Sequence, residues 1–314
     1  MALISRISLV AIFGFIFCGL NAQERYFDER YIYTQNYINP YLTNVGATGF
    51  SSYQQILVNY RNKWSDFNGS PKTITLSYNG PVADRLGMGA GFMQDTYGSL
   101  RTSKGFISFS YMIESPTNKV SFGLSGEYIQ HGLSSGIFNN GNTEPGDNTI
   151  IARLDGTQFF DASFGVYGLY DKKISYGLSI PSIVSSRLDE SESNADRSLG
   201  FIFNLGYRMK SLSSGISFEP SLWVKKLNLV PTHIDINGKF GFLDDKFTGG
   251  LSYTIGADKR LGFLLGVNID AINFYYSYNV SSLEFQDYNN GSHELMMVLN
   301  LGEKKSKEFI MDPK

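Results

Sequence analysis

The stretch AINFYYSYNV, Ala271 to Val280, decides the fold. Ile272, Phe274, Tyr276, Tyr278 and Val280 fall on one phase of a period-two pattern. Ala271, Asn273, Tyr275, Ser277 and Asn279 fall on the other. Successive side chains of an extended strand point to opposite faces, so this stretch is a strand with one apolar and one mostly polar face. The alternation recurs along the chain. Val120, Phe122, Leu124 and Tyr128 oppose Ser121, Gly123, Ser125 and Glu127. Leu261, Phe263, Leu265, Val267 and Ile269 oppose Arg260, Gly262, Gly266, Asn268 and Asp270, with Leu264 breaking the polar phase. Phe201, Phe203, Leu205, Tyr207 and Met209 oppose Asn204, Gly206, Arg208 and Lys210.

The template fits about fourteen segments: 54–62, 71–80, 86–94, 104–114, 118–130, 158–170, 173–181, 199–211, 214–225, 231–242, 246–256, 260–270, 271–281 and 292–301. Several reach ten residues, the length of a tilted strand that crosses a bilayer, whereas soluble strands average about five or six. Gaps after even-numbered segments are short: 81–85, 115–117, 171–172, 212–213 and 243–245. Gaps after odd-numbered segments are mostly longer: 63–70, 95–103, 131–157, 182–199 and 282–291, with 226–230 and 257–259 as exceptions. Short turns at one end and long loops at the other are the pattern of an outer-membrane barrel, whose short turns face the periplasm. The expected fold is therefore all-β, a transmembrane antiparallel outer-membrane β-barrel of fourteen strands spanning 54–301. The alternative is a soluble all-β protein in which the apolar faces meet in a core.

Composition fits a barrel with its apolar face outward. Aromatic residues are 15% of the 314, Gly numbers 33 and charged residues are 18%, below the roughly 25% of soluble domains. The formal net charge of -2 gives no basic field for nucleic acid. No later run approaches the roughly 18 apolar residues of a membrane helix. The N-terminus reads as a signal peptide over 1–22: Arg6 supplies the positive charge, Ile7 to Leu20 the apolar run, and cleavage falls after Ala22. The lone cysteine, Cys18, lies in this leader, so the mature chain has no disulfide, thiol nucleophile or thiolate metal site. Residues 23–53 are expected to form a periplasmic or plug segment, and 302–314 a charged periplasmic tail.

No catalytic or metal constellation appears. His131, His233 and His293 lack metal-ligand spacing, and no cofactor is expected. Gly87, Gly89 and Gly91 line one face of a strand, where close backbone approach is the simplest use. Charged residues on the polar phase are more informative: Glu127, Asp161, Arg208, Lys210, Glu219, Lys225, Asp235 and Lys239. They fit an ion-pair network across the lumen, or a surface that holds a plug or a passing polypeptide. A barrel of this strand count encloses more space than Gly and Ser can fill. Water, the segment 24–50 or the segment 131–157 must occupy it.

The hairpin VNYRNKWSDFNGSPKTITLSYNGPV, Val58 to Val82, carries Arg61, Lys63 and Trp64 beside its turn. Ile74, Leu76 and Tyr78 are expected to face lipid, and Thr73, Thr75, Ser77 and Asn79 the lumen. Trp64 fits the outer interface, where amphipathic aromatics collect, and Pro71 can open a strand without losing a ladder bond. Arg61 and Lys72 are expected to anchor a plug or partner near the rim.

Two stretches resemble the PorP/SprF family of type IX secretion system membrane proteins. QNYINPYLTNVGATG, Gln35 to Gly49, resembles its N-terminal Asn-Pro pattern through Asn39, Pro40 and Gly46. YRNKWSDFNGSPKTITLSYNGPV, Tyr60 to Val82, resembles its second pattern through Arg61, Asn62, Trp64, Gly69, Pro71, Lys72, Thr73 and Ser77. At Tyr41 to Val45 the sequence differs from the short Ala-Tyr-Ala of the family. The resemblance implies an integral outer-membrane barrel of a Bacteroidetes-type bacterium that is not an enzyme. It implies a role in secretion and surface attachment of a particular adhesin or gliding-type surface protein. Its implied partners are outer-membrane lipid, the C-terminal signal domain of that secreted protein and periplasmic components of the secretion machine. A passive channel for small solutes remains the alternative, and a barrel-borne lipid hydrolase a third reading without a supporting motif.

Overall fold

The computed structural model describes residues 31–133, 157–184, 199–211, 214–227, 230–256 and 259–303. The expected leader over 1–22, with Cys18 and Ala22, the segment 134–156 and the tail beyond 303 lie outside the described residues. The fold is a closed antiparallel barrel of fourteen strands. In chain order they are β1 (Tyr53–Asn62), β2 (Lys72–Pro81), β3 (Leu86–Tyr97), β4 (Leu100–Glu114), β5 (Asn118–Leu133), β6 (Thr157–Tyr170) and β7 (Ile174–Ile180). Then follow β8 (Phe201–Tyr207, continued by Met209–Lys210), β9 (Ser217–Lys226), β10 (His233–Phe242), β11 (Phe247–Ile255), β12 (Arg260–Ile269), β13 (Ile272–Ser281) and β14 (Ser292–Glu303).

Each strand pairs with its sequence neighbours, and β1 closes the ring on β14 with Asn59 opposite Met296 and Arg61 opposite Glu294. Closure removes every free sheet edge along the paired span, the condition for a sheet in lipid. The period-two phases hold throughout. On β2, Ile74, Leu76 and Tyr78 are exposed outward, while Thr73, Thr75, Ser77 and Asn79 are buried inward. Phe122, Leu124, Leu261, Phe263, Leu265 and Phe274 continue the apolar outer belt. In water such a surface would aggregate, so the exposed face is the lipid face.

The structure corrects two details. The gap expected at 95–103 is a tight turn: β3 runs on to Tyr97, which pairs with Leu100 across Gly98 at φ +57°. The outward residues there, Gln94, Thr96, Arg101 and Ser103, are polar, so the hydrophobic alternation stops although the pairing continues. The eighth strand is broken at Arg208. The register does not shift, because Gly206 faces Ser221 and Met209 faces Phe218. Pro220 lies in this stretch of β9 and has no N–H to give the ladder.

Apart from the β3–β4 turn, the tightest turns cluster at one end, taken as periplasmic. They use left-handed residues: Asp171 and Lys172, Leu243 to Asp245, and Asp270 in the two-residue turn between β12 and β13. Asp tolerates this conformation better than most residues.

The lumen is not empty. Residues 31–50 lie inside it, folded as three short 3-10 turns, Gln35–Tyr37, Pro40–Leu42 and Val45–Ala47. Each of the last two starts at an extended Asn whose side chain accepts a backbone N–H: Asn39 from Tyr41 at 3.1 Å, Asn44 from Gly46 at 2.8 Å. Asn is a favoured N-cap for this reason, and Pro40 suits the first turn because its missing N–H would be an orphan there.

Candidate functional site

The plug and the wall it touches form the candidate site. Its outer third is a polar cage. Thr34 donates its N–H to Glu294 Oε2 at 2.8 Å, and Asn59 Nδ2 donates to Glu294 Oε1 at 2.9 Å. Gln35 Nε2 donates to Ser277 Oγ and to the Glu294 carbonyl, at 2.8 and 2.9 Å. Lys225 Nζ reaches Asp235 Oδ2 at 2.8 Å and donates to the Tyr33 carbonyl at 3.0 Å. Thr254 donates to the other oxygen of Asp235 at 2.8 Å. Burying a charge is costly unless it is paired and hydrogen-bonded, and both conditions hold for Lys225 and Asp235.

A second pair faces it across the lumen. Lys104 Nζ lies 3.3 Å from Glu127 Oε2, and the other oxygen of Glu127 accepts from Ser125 and Ser163. Tyr31 donates to Glu127 at 3.2 Å, and the Lys104 ammonium sits 4.5 Å from the Tyr31 ring centre. Burial pushes the Tyr33 and Tyr37 phenols up, and that of Tyr41 to about 12. All three stay neutral in any ordinary medium.

Lower down, the plug rests on glycine. A Cβ on Gly123 would stand 2.2 Å from the Val45 carbonyl oxygen, and one on Gly165 2.2 Å from Asn44 Oδ1. A Cβ on Gly46 would lie 2.8 Å from backbone atoms of Gly165, Val166 and Tyr167. The third 3-10 turn therefore lies backbone against backbone on β5 and β6, and Asn44 Nδ2 donates to the Val166 carbonyl at 2.9 Å. On β3, Gly87 meets the Thr48 carbonyl and Gly89 the Tyr41 hydroxyl. At the periplasmic mouth, Gly49 donates to Asn79 Oδ1 at 3.1 Å, and Lys119 Nζ donates to the Phe50 carbonyl at 2.9 Å.

Below and beside the cage the plug makes apolar contacts. Tyr31, Ile32 and Tyr37 pack with Ile202, Trp223, Leu227, Val230 and Leu264. Ile38 and Leu42 pack on Leu57, Met296 and Val298. Leu264, which broke the polar phase of its strand, is there to meet the plug.

The charged residues singled out from sequence fall in separate places. Lys225 and Asp235 are buried in the outer cage, and Glu127 is buried in the pair that faces it, with Asp161 buried beside Glu127 and accepting from the Val184 N–H at 3.0 Å. Lys239 and Glu219 pair at 2.7 Å in a half-buried setting. Arg208 and Lys210 keep the lumen phase but stand at the periplasmic mouth, paired with Asp245 and Asp244. Lys104, Arg260 and Glu294 belong to the same buried set and were passed over. Their inward strand phase was the signal that could have found them.

The motif hairpin divides as well. Arg61 is buried, donates to Thr73 Oγ1 at 2.9 Å and lies 5.5 Å from the Tyr33 ring centre. Lys72 is exposed on the outer face. Asn62 Oδ1 accepts from Ser70 at 3.2 Å, and the Pro71 carbonyl accepts from Lys63 N–H at 2.9 Å. Lys63 Nζ sits 4.4 Å over Trp64, which meets Tyr97 edge-on. Gly69 needs φ +77° and gives its carbonyl to Gly98 N–H at 2.9 Å. Ser65 exchanges backbone bonds with Gly291 and Asn290 at 2.8 and 2.9 Å. The hairpin tip is thus tied to the β3–β4 turn and the β13–β14 loop in one apron at the outer mouth, with Phe67, Tyr97, Leu283 and Tyr288 exposed.

Among the described residues, no group of His, Cys, Asp and Glu is placed to hold a metal ion. No helix among them is long and apolar enough to cross a membrane; the crossing is made by strands.

A closed barrel with a lipid-facing apolar belt defines an integral outer-membrane protein. The sequence profile of the type IX secretion system membrane proteins PorP/SprF matches residues 27–299, and the chain belongs to that family. No curated protein matches it. Solved barrels share its outline at low identity. The CymD monoaromatic hydrocarbon channel is 11% identical, with a TM-score of 0.49 over 87% of this chain and 94% of that one. The Acinetobacter baumannii outer membrane protein Omp33 is 9% identical, with a TM-score of 0.47 over 79% and 98%. A Pseudomonas aeruginosa FadL homologue is 9% identical, with a TM-score of 0.46 over 83% and 93%.

Proposed function

We propose that this barrel is a sealed outer-membrane anchor of the type IX machinery, which aids secretion and cell-surface attachment of one cognate exported protein. Its role is non-catalytic, and it is not a conduit for small solutes. The observation that carries this reading is the plug. Residues 31–50 run down the lumen from the buried cage at Glu294 and Lys225 to the mouth at Lys119, bonded to the wall at every level. A barrel filled in this way offers its two ends rather than its bore.

In this reading the outer apron receives the C-terminal signal domain of the exported protein. Its exposed Phe67, Tyr97 and Tyr288 give the aromatic contacts that dominate protein interfaces. The family motif then has two jobs. Arg61, with Asn39, Pro40 and Gly46, holds the plug. Asn62, Trp64, Gly69, Pro71 and Lys72 shape the apron. The turns at Asp171, Asp244 and Asp270 meet periplasmic components.

Deletion of the gene tests the proposal. The expected result is that one large surface protein disappears from the cell surface while its synthesis continues. Deletion that leaves every such protein secreted and attached overturns it.

A further inference from the structure

Part of the plug is packed on apolar side chains and part of it borders a polar cavity. Toward β8–β14 and β1 it packs on Ile202, Trp223, Leu264, Leu57 and Met296. Toward β2–β7 it leaves a cavity of about 50 Å³, lined by hydroxyl-bearing and aromatic side chains. Thr43 and Ser77 line this cavity, at 5% and 3% exposure, and neither hydroxyl oxygen has a hydrogen-bond partner. Buried hydroxyls are normally hydrogen-bonded, so two unpaired ones in one cavity call for a ligand.

The lining selects its chemistry. Lys104 and Glu127 face the space as a neutralised pair 3.3 Å apart, so it holds no net charge for an ion. Ser108, Ser125, Ser163 and Ser179 both donate and accept. A water needs about 10–15 Å³ of such space and two to four polar partners, so the cavity accommodates about three or four. It extends from Asn44 and Val45, seated on the glycines of β5 and β6, up to Pro181 at the outer end of β7.

We propose that this cleft is a water-binding site filled from the cell surface, whose ordered waters bridge Thr43 Oγ1 and Ser77 Oγ and join the plug to β2–β7. The plug's contact with the wall is then exchangeable around the cleft, while the glycine seat on β5 and β6 and the apolar contacts are fixed.

The test uses the full chain with Cys18 replaced by Ser, so that an introduced thiol is the sole reporter. Ser77→Cys and Thr43→Cys are compared with Leu57→Cys and Met296→Cys on intact cells, using 2-hydroxyethyl methanethiosulfonate. The cleft positions are expected to react faster by about tenfold or more, because the dry positions need a local opening. Equal rates at wet and dry positions overturn the proposal. A crystal structure of the unmodified chain at water-resolving resolution gives an independent reading: density within hydrogen-bond reach of both oxygens supports the site, and a dry cleft removes it.

Discussion

Lys225 and Asp235 face each other at 2.8 Å on neighbouring strands, almost wholly out of solvent, and the same ammonium holds the Tyr33 carbonyl of the plug at 3.0 Å. One buried ion pair therefore joins the wall to the segment that fills the lumen. Removing one partner strands the other charge, at a cost of about 3–5 kcal/mol. Lys225→Met is expected to lower the temperature at which the barrel loses its heat-modifiable gel mobility. The double change Lys225→Met with Asp235→Leu is expected to recover most of the loss. A double variant as unstable as the two single changes added together would contradict the pairing.

The glycine seat makes a sharper prediction. Gly123→Val and Gly165→Val put side-chain atoms where Val45 and Asn44 now lie. The plug must lift, whereas the strands keep their register. Cells with either variant are expected to become sensitive to a bulky hydrophilic antibiotic that the outer membrane normally excludes. Gly126→Val, on the lipid face with nothing within 4 Å of its Cβ position, is the control and should change nothing. Equal sensitivity in all three would mean that the seat has no special role.

Arg61 holds the outer end of the plug through the Tyr33 ring and is itself fixed to the wall by its bond to Thr73 on β2. A buried cation–π contact contributes about 2 kcal/mol and a charged hydrogen bond about 1.5–3 kcal/mol. Arg61→Met is expected to speed amide exchange at Thr34 and Gln35 while leaving Gly46 and Gly49 protected. Uniform exchange along the plug would show that Arg61 supports the barrel as a whole.

The apron separates attachment from folding. Phe67→Ala with Tyr288→Ala removes two exposed rings that lie outside the barrel strands, in the loops of the apron. The barrel's heat-modifiable mobility is expected to stay, and the amount of exported protein retained on the cell surface to fall. Full retention would move the capture surface elsewhere on the outer face.

Lipid made the strands legible. It touches every second residue of a spanning strand, so Ile74, Leu76 and Tyr78, or Phe274 and Tyr276, write the alternation into the sequence. Above the membrane neither face meets lipid, and the outer parts of β3 and β4 around Gln94 and Arg101 lost the signal while keeping their pairing. The plug was less legible. Its three turns are three residues each, too short for a helical period, and only Asn39-Pro40 marks a turn start. The Ser, Thr and Asn of the inner face suit water and a polar plug equally, because Ser277, Thr75 and Ser108 bond Gln35, Tyr33 and Tyr41 as they would bond solvent. Leu264, with Leu57, Ile202, Trp223, Met296 and Val298, is an inward apolar residue that favours the plug over water.

The central claim is that residues 31–50 seal the bore. Single-channel recording of the purified full chain in planar bilayers tests it most directly, beside a variant lacking residues 31–50. The sealed-anchor account predicts that the full chain is silent and that the shortened chain gives steady, ohmic openings. Steady conductance from the full chain, equal to that of the shortened one, would contradict it.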